Sequence, residues 1–296
     1  MKYDILRGRD QIGGSCVEVS GDDGTRILLD VGMPLYDEEH GDFPFGMHQR
    51  PTQELLEKGV LLDIPGLYAA NTDKPAFTAI IVTHSHLDHY GLAHHAHPAI
   101  PVYASAGTLA ILEVNRVFQG EAAQPADLRP LPDDAPLQIG SLTVTGIPVD
   151  HSAPDSRAVL VEADGQKLLY SGDLRAHGRT GFRFEKLLTD KRLQGLDWLI
   201  LENTTRSPSA SGHGYAREED VENELVGLAK ANPDKLIAVM ASAQNLDRVV
   251  SCYRAAKLTG RLLVIDVYQA YVLMKLKGLS KALHPGKIEA VHWEKG

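Results

Sequence analysis

The stretch TAIIVTHSHLDHYGLA, Thr78 to Ala93, runs an apolar β-branched segment straight into His84, His86, Asp88 and His89. The apolar part reads as a strand buried within a sheet. A core has little use for four adjacent polar groups, so they either sit on a solvated turn or bind something. A chain with this feature has to place a rigid strand end, and the turn after it, at one edge of a sheet.

The rest of the chain supplies more strands of the same kind. TRILLDVG (Thr25 to Gly32), LTVTGIPVDH (Leu142 to His151), RAVLVEA (Arg157 to Ala163) and QKLLYSGD (Gln166 to Asp173) are short and β-branched or alternating, bounded by turn residues such as Gly24, Asp164 and Gly165. Up to Asp173 the order is strand-heavy, which predicts two stacked sheets. After Asp197 the rhythm changes to WLILEN, a helix over about 217–231, KLIAVMAS, a helix near 245–257, RLLVID and a helix over about 268–277. That β-α-β-α-β-α run is the pattern of a parallel sheet with crossover helices. The boundary falls near 197–210, where SPSASGHG supplies a loop. At 296 residues and 43% hydrophobic, the chain can bury one large core or two smaller ones.

Other classes are excluded on composition. No apolar run reaches the ~18 residues of a membrane span, and MKYDILRGRD lacks a signal-peptide core. Cys16 and Cys252 are too few for a disulfide framework and have no metal-like spacing. A reducing, cytoplasmic setting and no membrane partner are expected. The net charge of −9 argues against coating nucleic acid by overall charge, but not against a local basic groove.

Two histidines two apart at a strand end, His84 and His86, can share one cation. Asp88 and His89 on the following turn can reach a second. Imidazole with carboxylate suits zinc, and also manganese or iron. Two further strand ends repeat the arrangement: His151 in PVDHSAPDS and Asp173 in LLYSGDLR. Alone, either is an ordinary strand-end polar residue. With the first cluster, both become candidate ligands.

HSHLDH, then DHS, then SGD, preceded by LLDVG with Asp30, resembles the metallo-β-lactamase fold, an αββα sandwich with a dinuclear metal site on one edge. The resemblance implies that His84, His86 and His151 hold the first Zn2+, with Mn2+ as an alternative. It implies Asp88 and His89 on the second, Asp173 bridging, and Asp30 behind the ligand loop. Within that fold the chain is most similar to the β-CASP nucleases, such as ribonuclease J and the mRNA 3′-end endonuclease. HSAPDSRAVLVEADGQKLLYSGDLR follows that branch, and LILENTTRS places Glu202 at its first β-CASP motif. The implied division is a metallo-β-lactamase domain over 1–200 and an incomplete β-CASP-like α/β segment over 201–296.

The resemblance thus implies a metal-dependent hydrolase that cleaves RNA, with catalytic roles for Asp88, Asp173 and Glu202. Two cations lower the pKa of a bridging water and clamp an in-line displacement at phosphorus, leaving a 5′-phosphate. The expected partner is RNA or another single-stranded nucleic acid, and a homo-oligomer is compatible. Ser152, Arg175, Arg179 and Arg183 are candidate substrate contacts: Leu174 to Arg192 carries a local excess of four positive charges. A solvated helix face explains that excess equally well. The alternatives are a small-molecule hydrolase of thioesters or lactones, and a non-catalytic scaffold.

Other histidines carry less. His94, His95 and His97 in AHHAHP are expected on the surface, His213 in a loop, and His48 in a segment that can overhang the site. The family takes a further histidine on the second metal. Only His284 and His292 follow His213, and neither matches its motif, although AVHWE superficially resembles the closing Pro-Val-His-Gly-Glu pattern. The expectation is the N-terminal part of a longer enzyme, or a shortened relative, with a complete first site and a second one ligand short.

Overall fold

The structure, a computed structural model, describes residues 1–37, 41–44, 46–70, 72–119, 124–203 and 215–278. His213, His284, His292 and the residues following Asn203 in LILENTTRS lie outside them.

The first sheet opens with β1 (Lys2–Arg7), β2 (Cys16–Ser20) and β3 (Arg26–Leu29). A small hairpin, β4 (Tyr36–Asp37) with β5 (Gly41–Asp42), and helix α1 (Thr52–Glu57) precede β6 (Ala79–Val82). Helix α2 (Leu87–Tyr90), β7 (Val102–Ala104), α3 (Ala106–Gln119) and β8 (Leu128–Pro130) follow. The second sheet comprises β9 (Pro136–Ile139), β10 (Leu142–Pro148), β11 (Arg157–Ala163) and β12 (Gln166–Tyr170). After α4 (Phe182–Leu188) it ends on β13 (Trp198–Ile200). Helices α5 (Glu218–Ala231), α6 (Leu246–Leu258) and α7 (Val267–Lys275) complete the described chain.

The first sheet runs β1-β2-β3-β6-β7-β8, antiparallel as far as β3 and parallel from β3 to β8. The second runs β13-β12-β11-β10-β9, antiparallel except for the β12–β13 pair. Alternation decides which side chains meet between the sheets. Ile27, Leu29, Ala79 and Ile81 face Val144, Val159, Val161 and Leu168 in one buried cluster. Their neighbours Leu28, Ile80 and Val82 point the other way, into a cluster with Leu55, Leu67 and Leu112 under α1 and α3. β6 is therefore buried on both faces, as its unbroken apolar run requires. Beyond the second sheet, Ala158, Leu160 and Leu169 pack on Leu187 of α4. The layers are helix, sheet, sheet, helix: the expected αββα sandwich.

Past β13 the three helices form within a residue or two of their expected positions. The intervening strands do not. KLIAVMAS and RLLVID join no sheet, and Leu236 is 95% and Met240 101% exposed. A strand is stable only when its N–H and C=O groups find a ladder partner, and none is present among the described residues. The helices find support elsewhere: Val272 and Leu276 of the α7 region pack on Ile111 and Val114 of α3.

Candidate metal centre

Each predicted ligand stands where a strand of the sandwich stops. β6 ends at Val82, and His84, His86, Asp88 and His89 follow on the turn and on α2. β10 ends three residues before His151, and β12 three residues before Asp173. Three ring nitrogens converge: His84 Nε2 and His151 Nε2 each lie 3.1 Å from His86 Nδ1. Ligands held at zinc–nitrogen distances of ~2.0–2.1 Å on a tetrahedron stand about 3.4 Å apart, close to this spacing. Asp173 Oδ2 lies 3.6 Å from His151 Nε2 and 3.9 Å from His84 Nε2. Its Oδ1 lies 3.1 Å from His89 Nε2, which is 3.8 Å from Asp88 Oδ2. The four side chains His84, His86, His151 and Asp173 form one donor group, and Asp88, His89 and Asp173 form another, with Asp173 common to both.

Electrostatics prepares the donors. Burial, then the neighbouring imidazoles, hold His84 well below the ordinary histidine value, and burial likewise lowers His86. His151 is pushed down to about 3, with burial the largest cause. All three present lone pairs rather than N–H⁺ groups, the state a metal ligand needs. Burial opposes ionisation of Asp173, but His89 and the other imidazoles outweigh it and keep the carboxylate charged. His89 goes the other way: burial disfavours its charge, yet Asp30 and Asp173 lift it well above the usual value.

Asp30 is the anchor behind these donor groups. It sits in a left-handed turn at φ 61°, a region tolerated by Asp, and is fully buried. Its carboxylate accepts from Thr83 N at 2.8 Å, Thr83 Oγ at 2.8 Å and Tyr170 Oη at 2.9 Å, and stands 2.8 Å from His89 Nδ1. That fixes His89 so that Nε2 faces Asp173. Thr83 Oγ also lies 3.0 Å from His84 Nδ1. Burial and Asp30 hold the Tyr170 hydroxyl well above its usual range, so it remains a donor. Sequence reasoning missed Thr83 and Tyr170, although each adjoins a motif it had singled out. Gly32 lets the β3 loop touch α2: a Cβ there would lie 1.7 Å from the Asp88 carbonyl oxygen. Val31 N and Met33 N donate to His89 O and Leu87 O, both at 2.9 Å.

The remaining candidates separate. Glu202 accepts from Leu174 N at 2.8 Å, and its own N–H donates to Ser171 Oγ at 3.0 Å, so it braces the Asp173 turn from both sides. Ser152 is half-buried beside His151. Arg175 and Arg179, candidate contacts for a phosphate backbone, are engaged by carboxylates. Arg175 reaches Asp247 at 2.6 Å, and Arg179 reaches Glu222 at 2.7 Å. The acidic faces of α5 and α6, invisible in a local charge count, neutralise them. Arg183 donates to Val149 O at 3.4 Å. His94 and His95 are not surface decoration either: the His94 ring nitrogens are sealed from solvent, and His95 Nε2 lies 2.8 Å from His48 O.

An open cleft of about 580 Å³ adjoins the second donor group, lined by Asp88, His89, Asp173, Glu202, Arg9 and Gln11 among others. No helix among the described residues is long and apolar enough to cross a membrane.

This fold and donor set agree with the comparison to known families: residues 64–238 match the β-lactamase superfamily domain, and the chain belongs to that family. Its curated relatives bear out the resemblance to ribonuclease J. It is 25% identical over 207 residues to ribonuclease J of Sinorhizobium meliloti, an alignment covering 69% of this chain and 36% of that protein. It is 29% identical to ribonuclease TTHA0252 of Thermus thermophilus, covering 67% and 42%, and 28% identical to an RNase J-like protein of Methanocaldococcus jannaschii, covering 68% and 42%. The chain thus spans about two fifths of the length of these relatives. Among solved structures, a protein of unknown function from Enterococcus faecalis V583 shares the fold, with a TM-score of 0.78 at 23% identity over 93% of this chain and 67% of that one.

Proposed function

We propose that this chain is a metal-dependent hydrolase acting on RNA phosphodiester bonds, and that zinc is its metal. The observation that carries the reading is the pair of donor groups joined by the Asp173 carboxylate. His84, His86, His151 and Asp173 would hold one cation, and Asp88, His89 and Asp173 the other. Bound there, such cations supply Lewis acidity toward a phosphoryl oxygen and lower the pKa of water. The chain's own residues supply geometry. Asp30 aims His89, Tyr170 and Thr83 hold Asp30, and Glu202 braces the turn carrying Asp173. The ribonuclease names of the relatives favour RNA as substrate, and the two cysteines of the chain fit a reducing, cytoplasmic setting. The metallo-β-lactamase domain is assigned to 1–200, and 201–296 to a β-CASP-like segment. The second donor group holds three side chains among the described residues, which favours a weaker second cation.

A small-molecule hydrolase is the second reading, favoured by the carboxylates that occupy Arg175 and Arg179. Metal analysis, run beside digestion of a 5′-monophosphorylated, end-labelled RNA and of a generic thioester, separates the two. Metal-dependent RNA cleavage by the chain, alone or with an added partner, supports the first. Thioester turnover without RNA cleavage overturns it.

A further inference from the structure

The segment before α6 and the first turn of α6 touch both ligand loops. Ser85, buried between His84 and His86, donates its hydroxyl to Gln244 Oε1 at 3.1 Å. Gln244 Nε2 donates to Tyr268 Oη at 3.0 Å, and Tyr268 Oη donates to Asn115 Oδ1 at 3.0 Å. Asn115 Nδ2 then donates to Tyr90 Oη at 2.7 Å, next to His89. The chain of bonds leaves the metal loop at Ser85 and returns to it at Tyr90.

Three residues after Gln244, Asp247 Oδ2 accepts from Arg175 Nη2 at 2.6 Å and from Arg179 N at 2.9 Å. Arg175 N donates to Asp150 O at 2.7 Å, and the buried Asp150 carboxylate accepts from Gly178 N at 2.8 Å and Thr180 Oγ at 2.7 Å. Asp150 is the residue before His151. One grip therefore acts on His84 and His86, the other on His151.

We infer that Gln244 and Asp247 are positioning residues of the metal centre, a two-pronged clamp through which the helical segment after residue 215 holds both ligand loops in register. This rests on the metal reading of the donor groups. It adds that α5, α6 and α7 tune the site although none of their described residues belongs to a donor group. Metal ligands held by such outer contacts lose orientation, and with it affinity, when the contacts go.

The test uses the full chain and Co2+ as the probe, with binding followed by visible absorption. Hydrogen exchange is measured in parallel on metal-free protein. Gln244→Met and Asp247→Asn are each expected to weaken Co2+ binding about tenfold and to alter its ligand-field spectrum. Exchange should rise over 84–90 in the first variant and over 149–152 in the second. Gln244→Glu keeps an acceptor for Ser85 and should hold affinity within about threefold of the parent, less than the roughly tenfold loss expected from removing the contact.

Arg261→Ala is the control. Arg261 donates to the carbonyls of Ala229, Asn232, Pro233 and Lys235, so its loss loosens the helical segment away from the ligand loops. It should lower the melting temperature and leave Co2+ affinity and loop exchange unchanged. Parental affinity, spectrum and exchange in both clamp variants would overturn the inference. So would equal effects from Arg261→Ala. If the parent takes up no Co2+, the metal reading fails, and the exchange data still decide the clamp.

Discussion

At the scale of single residues, Asp30 belongs to neither donor group and yet meets Thr83, His89 and Tyr170 at once. Asp30→Asn keeps the shape and removes the charge that orients His89. Metal content at the second donor group should fall 10- to 100-fold in affinity, roughly the range for ligand-orienting partners. Equilibrium dialysis with Zn2+ measures it, and unchanged affinity would remove Asp30 from the site. His84→Ala and Asp173→Ala should strip metal altogether, whereas His97→Ala, in the histidine-rich tract but in neither donor group, should not. Atomic absorption on the purified variants checks this, and equal loss in all three rejects the ligand set.

At the scale of elements, the segment after α2 is stapled to α1 by histidines. His95 lies 3.0 Å from the Thr52 hydroxyl and 2.8 Å from the His48 carbonyl. Burial, then His95 and His48, push His94 down to about 3, and burial lowers His48 and His95 as well. The unfolded chain protonates these rings near the ordinary ~6.5. Stability from the neutral rings is therefore complete above that value. For His94 it is lost as pH falls from there toward about 3. The slope for one such ring is at most about 1.4 kcal/mol per pH unit. Urea unfolding of metal-free protein at pH 7 and pH 5 should show a smaller acid loss in His94→Phe than in the parent. Identical losses would refute the buried neutral state.

The molecule as a whole carries −9 net charge, so any attraction for a polyanion has to be local. Arg175 and Arg179 are already paired with carboxylates, which compete with that task. Arg179→Glu would face Glu222 and Glu219, so its expected effect is a lower melting temperature rather than a changed salt dependence of RNA binding. Lys186→Glu, on the half-exposed α4, should spare stability and reduce the slope of RNA affinity against salt by about one. Fluorescence anisotropy of a labelled RNA across a salt series, beside thermal melts, separates the two. A reversed pattern would restore Arg179 as a substrate contact.

What the sequence determined by itself was periodic and local. β6 could be read because AIIV is apolar on both faces, and α5, α6 and α7 because each is a local stretch set off by apolar strand-like segments. The candidate ligand types were legible because HSHLDH, DHS and SGD each follow the end of a strand. Tertiary structure decided the rest. That His86 Nδ1 meets the Nε2 atoms of His84 and His151 depends on where three strand ends stop in space. The partners of Arg175 lie 25 and 72 residues away at Asp150 and Asp247, which no local charge count registers. KLIAVMAS and RLLVID have the composition of strands but make no ladder among the described residues. A side-chain pattern proposes a strand, and only a neighbouring backbone with free N–H and C=O groups completes one.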